Sequence, residues 1–228
     1  MALKHSPSIV SDGLILYLDA ANRRSYPGSG SIWYDLSENK YNNTLYNSPI
    51  FASGFILFDG IAQYASAGDN DNLHPELATI EVWTRAINES NLDHVTNIVG
   101  KGDWNSASGH WHLGYKNGTQ LSFAYNIESW SVGASYNLSS FDATAWHNIV
   151  GVCSQNNNAL YIDGNFISND TAINGTRILN NLEFQIARSS YYGNFYNGAI
   201  TIVKMYNRPL SDVEIKQNFN AMRSRFGI

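Results

Sequence analysis

Tyrosine and tryptophan side chains are the residues of this sequence best suited to binding chemistry. Each combines a flat apolar face with a polar edge, a combination that suits both sugar rings and protein partners. Six aromatic residues fall in or beside predicted loops and are the candidates for contact with a glycan or a protein partner, although ordinary packing is the first explanation for rings of this kind. They are Trp104, Trp111, Tyr191, Tyr192, Phe195 and Tyr196.

The carboxylates do not form a catalytic pattern. A retaining glycosidase needs two carboxyl groups about 5 Å apart, and acids at alternating positions of one strand would provide them. Glu81 and Glu183 each stand alone in their segments. The sequence also lacks a Gly-X-Ser-X-Gly elbow, a phosphate-binding loop and a His-Glu-X-X-His zinc motif. We therefore expect no enzyme, while a carboxylate pair assembled from distant strands stays open.

Composition argues against several classes of partner. The 228 residues carry a formal net charge of −5, with no run of lysine or arginine, so nucleic-acid binding has no electrostatic basis. Cys153 is the single cysteine, which excludes an internal disulfide. No segment reaches the roughly 18 apolar residues of a membrane span, and the amino terminus has no signal-peptide apolar region. We expect a protein made in a cytoplasm, without a signal peptide or membrane insertion.

The elements that carry these residues are predicted to be strands. Asn117–Gly118 and Asp163–Gly164 are type I′ turn dipeptides between β-rich runs, and they predict antiparallel hairpins. The runs are too closely spaced for helical crossovers, so we predict an all-β, two-sheet antiparallel sandwich. The predicted strands are 14–19, 54–59, 63–67, 78–86, 96–101, 110–115, 120–126, 145–153, 159–162, 182–187 and 199–206.

One helix is predicted near the carboxyl end, at about residues 211–225. Ser211 and Glu214 have the spacing of a capping box. Apolar residues then recur at helical spacing, and we expect this stripe to lie against the sandwich. The stripe is Ile215, Phe219, Met222 and Phe226. Residues 1–10 are predicted to form an amino-terminal tail, which leaves residues 11–228 as one domain.

Seven further segments resemble, in the expected order, the signature segments of a known family. They are residues 13–20, 33–37, 58–60, 79–83, 98–103, 146–150 and 159–165. Together with the closing hairpin and the capped helix, they resemble the laminin G-like jelly rolls of the concanavalin A-like lectin and glucanase superfamily. The resemblance spans roughly residues 11 to 220 and implies a jelly-roll sandwich.

The resemblance also raises the question of calcium, because many laminin G-like domains hold Ca²⁺ at the rim of the sandwich through oxygen ligands. Asp59, in Phe-Asp-Gly, and Asp69 and Asp71 are the candidate ligands. Relatives often carry further acids where this sequence has residues 61–63, and Asp-Glu where it has residues 201–202. We therefore expect no cofactor, with Ca²⁺ as the open alternative.

The first fifty residues, especially 13–20 and 25–37, also resemble laminin G-like domains in structural proteins of tailed phages, notably those of marine cyanobacteria. This implies a non-enzymatic virion structural module, either a capsid decoration or cement protein or a fibre-associated protein. It would bind other virion proteins, and a homo-oligomer stays open. The alternative is a carbohydrate-binding adhesin that recognises host surface polysaccharide, and a glycoside hydrolase is the distant alternative.

Overall fold

The computed structural model of the protein is a sandwich of two antiparallel sheets. It describes residues 7–87, 96–102, 110–116, 118–127, 133–155, 157–171, 181–189 and 193–228. The strands are β1 (Leu14–Asp19), β2 (Ile32–Trp33), β3 (Asn43–Tyr46), β4 (Ile50–Ala52), β5 (Phe55–Asp59), β6 (Tyr64–Gly68), β7 (Ala78–Ala86), β8 (Thr96–Lys101), β9 (His110–Lys116), β10 (Gln120–Ile127), β11 (Ala134–Asn137), β12 (His147–Ser154), β13 (Asn157–Ile162), β14 (Asn165–Asp170), β15 (Phe184–Ile186), β16 (Arg188–Ser189), β17 (Asn194–Phe195) and β18 (Asn197–Tyr206).

Sheet I has the order β14-β13-β12-β7-β18-β5-β4, with β1 also paired to β18. The long strand β18 lies at its centre, because β7 borders it on one side while β5 and β1 share the other. Sheet II has the order β11-β10-β9-β8-β15-β6-β3-β2. Among the described residues all these pairings are antiparallel, so the predicted all-β sandwich is confirmed.

The main hydrophobic core fills the space between the two sheets. Its largest side chains include Trp33, Trp111 and Phe184, which are fully buried. Phe123 on β10 of sheet II packs directly onto Gly151 on β12 of sheet I. A β-carbon at Gly151 would overlap the Phe123 ring, so glycine is required for this close approach. The sheets are therefore positioned by interlocking side chains at close-packed density.

Helix α1 (Asp212–Met222) covers the outer face of sheet I. Its amino end is the predicted capping box: the Ser211 hydroxyl accepts from the Glu214 amide, and the Glu214 carboxylate accepts from the Ser211 amide. Within the predicted stripe, Ile215 and Phe219 are buried, and Met222 and Phe226 pack against them partly buried. Phe226 lies in a 3₁₀ turn, Arg223–Phe226, that follows α1. The predicted helix and its buried stripe are confirmed.

A buried polar network joins α1 to sheet I. Glu81 on β7 and Lys204 on β18 face each other across the strand pair, with 2.9 Å between Lys204 Nζ and Glu81 Oε1. Asn148 Nδ2 and Asn218 Nδ2 donate to the two oxygens of Glu81 at 3.2 and 2.8 Å. Both charged side chains are at most 1% exposed. The carboxylate is thus stabilised by an ion pair and two amides, as burial of a charge demands.

The end of the predicted tail is part of this assembly. The Val10 amide donates to Asn218 Oδ1 at 2.8 Å, and the Val10 carbonyl accepts from the Tyr206 hydroxyl at 3.1 Å. Gln217 Nε2 donates to the Ser8 carbonyl at 2.8 Å. Residues 8–10 therefore dock against α1 and Tyr206.

Candidate functional site

The three candidate calcium ligands are committed to other partners or lie apart. Asp59 Oδ1 accepts from the amides of residues 61–63 at 2.8 to 3.1 Å. Burial opposes ionisation of Asp59, but these amides outweigh it and hold its pKa below the ordinary value. Asp69 Oδ1 lies 2.6 Å from Lys101 Nζ, and Asp71 is exposed at the start of a 3₁₀ turn.

Within the part of the chain that the structure describes, no group of three or more His, Cys, Asp or Glu side chains could hold a metal ion. Asp59, Asp69 and Asp71 are thus not brought together as a ligand set. Asp59 instead shapes the loop after β5, which has the amide-capping geometry typical of an Asx turn. Calcium binding stays a prediction.

The six aromatic residues predicted to make contacts fall into three groups: those outside the described residues, those buried in the core, and one at the surface. Trp104, Tyr191 and Tyr192 lie outside the described residues. Trp111 and Tyr196 are 0% exposed and belong to the core between the sheets. Their polar atoms are satisfied there, because Trp111 Nε1 donates to the Leu73 carbonyl at 3.2 Å and the Tyr196 hydroxyl lies 2.9 Å from Thr84 Oγ1. In this structure the two rings offer no surface to a ligand, since hydrophobic burial outweighs the loop-like sequence around them.

Phe195 is the one described member of the set that reaches the surface, and it belongs to an aromatic cluster with Tyr46 and Tyr64. Tyr46 on β3 and Tyr64 on β6 are directly opposite residues of neighbouring strands. Their rings are 4.6 Å apart between centroids and inclined by 6°, a stacked pair. Phe195 lies 6.2 Å from Tyr64. Tyr46 is 40% exposed, so its ring faces solvent beside the stack.

Arg188 completes this cluster, which we call the Tyr46–Arg188 stack. Its guanidinium carbon lies 4.6 Å from the centroid of Tyr64 and 5.6 Å from that of Phe195. β6 lies between β3 and β15 in sheet II, and Arg188 follows β15 closely. Tyr46 and Arg188 therefore approach Tyr64 from opposite sides, and the four side chains form a continuous surface of rings and guanidinium.

The backbone at Ala187 explains why Arg188 reaches this position. Ala187 is fully buried and has a φ of +65°, in the left-handed region that a non-glycine residue adopts at a cost of about 1–2 kcal/mol. Hydrogen bonds from its amide to the Ile98 carbonyl (2.8 Å) and from the Tyr196 amide to its own carbonyl (2.9 Å) hold this conformation. The turn takes the chain out of β15 and into the short β16–β17 ladder, where Arg188 pairs with Phe195.

The loop after Tyr46 is fixed and borders a cleft. Asn47 and Ser48 both have positive φ, and Gln63 Nε2 donates to their two carbonyls at 3.3 and 3.2 Å. Beyond this loop lies a cleft of about 390 Å³ with rings, hydroxyls and glycine backbone in its wall. Tyr26 and Phe51 supply the rings, and Ser48 lines it as well. The Tyr46–Arg188 stack and the cleft therefore share one hydrogen-bonded loop.

Neither isolated glutamate lies in an arrangement suited to hydrolysis. Glu81 is sealed beneath α1 in the polar network described above. Glu183 is exposed, and its Oε2 accepts from Ser66 Oγ at 3.0 Å and from Gln185 Nε2 at 3.2 Å. The two residues lie on different sheets, because Glu81 belongs to β7 and Glu183 precedes β15.

Sequence reasoning missed three residues of the stack. Tyr64 falls in the predicted strand 63–67, and its alternation with the core residue Ala65 indicates an outward ring. Tyr46 lies in a strand too short to be predicted, and Arg188 directly follows the predicted strand 182–187 without being named as a candidate. The pairing of β3 with β6 that places Tyr46 opposite Tyr64 cannot be predicted from the residues of either strand alone.

A family model of the concanavalin A-like lectin/glucanases superfamily, of the laminin G type, matches residues 59–216. This match covers more than half of the chain. The protein belongs to this superfamily. The matched region contains Tyr64, Arg188 and Phe195, whereas Tyr46 precedes it. No curated protein sequence matches the chain significantly.

Solved structures with the same fold extend the match. Trypanosoma rangeli sialidase superposes with a TM-score of 0.68 and 16% identity, over 95% of this chain and 34% of the sialidase. The binding domain of Paraclostridial Mosquitocidal Protein 1 superposes with a TM-score of 0.67 and 18% identity, over 92% of this chain and 52% of that protein. The HCR/D W1238A mutant superposes with a TM-score of 0.68 and 13% identity, over 92% of this chain and 53% of that protein. The chain thus spans about a third to a half of these neighbours, and the likeness is one of fold.

The superfamily match confirms the laminin G-like part of the expected resemblance. The finer expectation, a place in a phage particle, gains no support from the family model or from these neighbours. Among the described residues, no helix has the length and apolarity needed to cross a bilayer.

Proposed function

We propose that this protein is a non-enzymatic carbohydrate-binding module. The observation that carries the proposal is the exposed ring of Tyr46, which is held parallel to Tyr64 and is braced by the loop at residues 47–48. A flat ring fixed in this way can pack against the apolar face of a sugar without losing much side-chain entropy on binding.

The surroundings of Tyr46 suit an extended saccharide. On one side the stack continues to Arg188 and Phe195, and on the other the fixed loop borders the cleft that contains Tyr26 and Phe51. Aromatic surface with a few well-placed polar groups is typical of small-molecule sites. The proposed ligand lies across the loop, with one sugar on Tyr46 and its neighbours reaching the cleft.

Two further observations support binding without hydrolysis. Glu81 and Glu183 lie on different sheets, and the Glu81 carboxylate already accepts hydrogen bonds from Lys204 and two asparagine amides. The superfamily includes lectins, and the fold neighbours include a sialidase and the binding domain of a toxin. These likenesses support the proposal at the level of function class.

A glycan array probed with the purified protein and two variants tests this proposal. We expect the wild type to bind specific saccharides, Tyr46→Ala to lose that binding by at least about tenfold, and Tyr46→Phe to retain it because the ring is kept. Phe166→Ala is the matched control, because Phe166 is 54% exposed on β14 of the other sheet. Melting temperatures measured in parallel separate loss of binding from loss of folding.

A blank array from folded wild-type protein would overturn the proposal and would favour decoration by protein contacts instead. Equal losses in Tyr46→Ala and Phe166→Ala, or full binding by Tyr46→Ala, would show that the ligand does not lie on this stack.

A further inference from the structure

Within the part of the chain that the structure describes, the guanidinium of Arg188 has no partner of opposite charge. Among the described residues it has no hydrogen bond and no ion pair, and its Nε is enclosed without an acceptor. The side chain is nevertheless partly exposed. Its contacts there are the rings of Tyr64 and Phe195, which engage the face of the guanidinium. Because Nε is enclosed, the edge that a planar acceptor would meet is the one formed by the two terminal nitrogens.

Four other cations of the described chain contrast with Arg188, because each is paired with an acid. Each of them has a carboxylate oxygen within 2.6 to 2.9 Å. These pairs are Lys101 with Asp69, Lys204 with Glu81, Arg208 with Glu214, and Arg225 with Asp19. Arg188 is partly buried, and no described residue pairs an acid with it. At such a position an external anion competes with few described carboxylates for the guanidinium.

From this geometry we infer that Arg188 binds the carboxylate of an acidic sugar whose ring lies against Tyr46. The inference rests on the proposed carbohydrate function and names its ligand class. Guanidinium matches carboxylate through two parallel hydrogen bonds, and nearby rings strengthen the pairing because they exclude water. The stack therefore combines an apolar platform for the sugar ring with a fixed cation for its charged group.

Arg85 provides a matched control on sheet I. Its guanidinium carbon lies 5.6 Å from the centroids of both Phe55 and Trp146, and its Nε is also enclosed without an acceptor. The surroundings differ, because Trp146 packs against Phe226 of the carboxyl-terminal turn. The described ring contacts place no stacked tyrosine pair beside Arg85. Arg85 therefore has the same chemistry as Arg188 without the platform for a sugar.

Binding of four saccharides by titration calorimetry tests this inference. Tetragalacturonate is compared with its carboxyl-reduced form, and 3′-sialyllactose with lactose, so the two pairs distinguish uronic from sialic acids as the source of the carboxylate. We expect wild-type protein to prefer at least one acidic member over its neutral counterpart, with an affinity that falls as salt rises. Arg188→Gln should weaken the acidic member about tenfold or more and leave the neutral one unchanged.

Arg188→Lys should recover part of the preference, because it keeps the charge and loses the paired geometry. Arg85→Gln should bind like the wild type. If the wild type binds neutral and acidic members equally, or if Arg188→Gln and Arg85→Gln act alike, the inference is overturned while carbohydrate binding stands. If folded wild-type protein binds no saccharide here or on the array, the proposed function fails, and the inference with it.

Discussion

Lys204 and Arg188 are both cations placed near tyrosine rings, yet they differ in burial and in whether a described carboxylate is paired with them. Lys204 is 0% exposed and lies 5.8 Å from the ring of Tyr17, with the carboxylate of Glu81 at 2.9 Å. Arg188 lies closer to its ring, at 4.6 Å from Tyr64, and no described residue supplies an acid. A buried charge must be paired within the fold because it has lost its hydration, whereas a charge at the surface is solvated by water and needs no internal partner. The first pair holds α1 on sheet I, and the second site is available for binding.

Removal of Lys204 is the largest expected perturbation. Lys204→Met leaves Glu81 buried without its cation, and we expect a loss of about 3–5 kcal/mol in the free energy of unfolding. Arg188→Gln should change it by at most about 1 kcal/mol, because the charge of Arg188 contributes only partly exposed cation–π contacts with Tyr64 and Phe195. Denaturant unfolding of both variants measures the difference. Similar losses in the two variants would remove the distinction drawn between these cations.

The double variant Glu81→Gln with Lys204→Met sharpens this test. A glutamine at residue 81 keeps one oxygen as an acceptor, and an NH2 group takes the place of the other oxygen. Asn148 Oδ1, which is buried without a partner among the described residues, can accept from that group once the Asn148 amide turns over. We expect the double variant to be more stable than Lys204→Met alone, because no unpaired charge stays buried. A double variant less stable than the single one would mean that the carboxylate itself, and not its pairing, supports the fold.

The amino-terminal cap of α1 should contribute less. Ser211→Ala removes one side of the capping box, and the expected loss is about 1 kcal/mol. The loss should concern α1 and the network beneath it, since Asn218 lies on this helix. Hydrogen exchange can check this, with faster exchange expected in α1 and unchanged exchange around Tyr64. Unaltered exchange in α1 would contradict the proposed role of the cap.

His147 is an intermediate case, because it is partly exposed and has a carboxylate partner. His147 Nδ1 lies 2.8 Å from Asp163 Oδ2. Burial lowers the pKa of His147, but the hydrogen bond and charge of Asp163 outweigh it and raise the pKa above the ordinary value. Its stabilising effect should be fully present below about pH 6.5 and be lost as pH rises through the folded-state pKa.

We expect this contribution to be under about 1 kcal/mol, since the pair is partly open to solvent. Unfolding measured between pH 5.5 and 9 should show the decline in wild type and a flatter profile in His147→Gln. Identical pH profiles for the two proteins would show that His147 does not gain its proton on folding.

The sequence predicts the framework of this protein well, because its signals are local. Strands β1, β7 and β8 begin and end where predicted, and the other predicted strands agree within two residues at each end. The short strands β2, β3, β4, β11, β14, β16 and β17 were missed, because two to six residues carry little periodicity. Asp163–Gly164 forms the predicted turn between β13 and β14, with positive φ at both residues. Asn117 lies outside the described residues.

The candidate site was predicted only in part, because it depends on long-range pairing. Phe195 was named from the sequence, but the tyrosines of the stack, Tyr46 and Tyr64, come from strands 130 or more residues away. Trp111 and Tyr196 were assigned to contacts because loops surround them in the sequence, and both are drawn into the core by packing. Local composition identifies aromatic side chains but does not decide which of them the sheets will bury.

Localisation of the ligand by NMR titration tests the central claim most directly. Isotope-labelled protein would be titrated with the saccharide that binds best on the array, and changes in amide chemical shifts would be mapped onto the chain. We predict the largest changes at Tyr46, Asn47, Gln63, Tyr64 and Phe195, with little change near Arg85. Changes that cluster elsewhere, with these amides unaffected, would contradict the assignment of the Tyr46–Arg188 stack as the binding site.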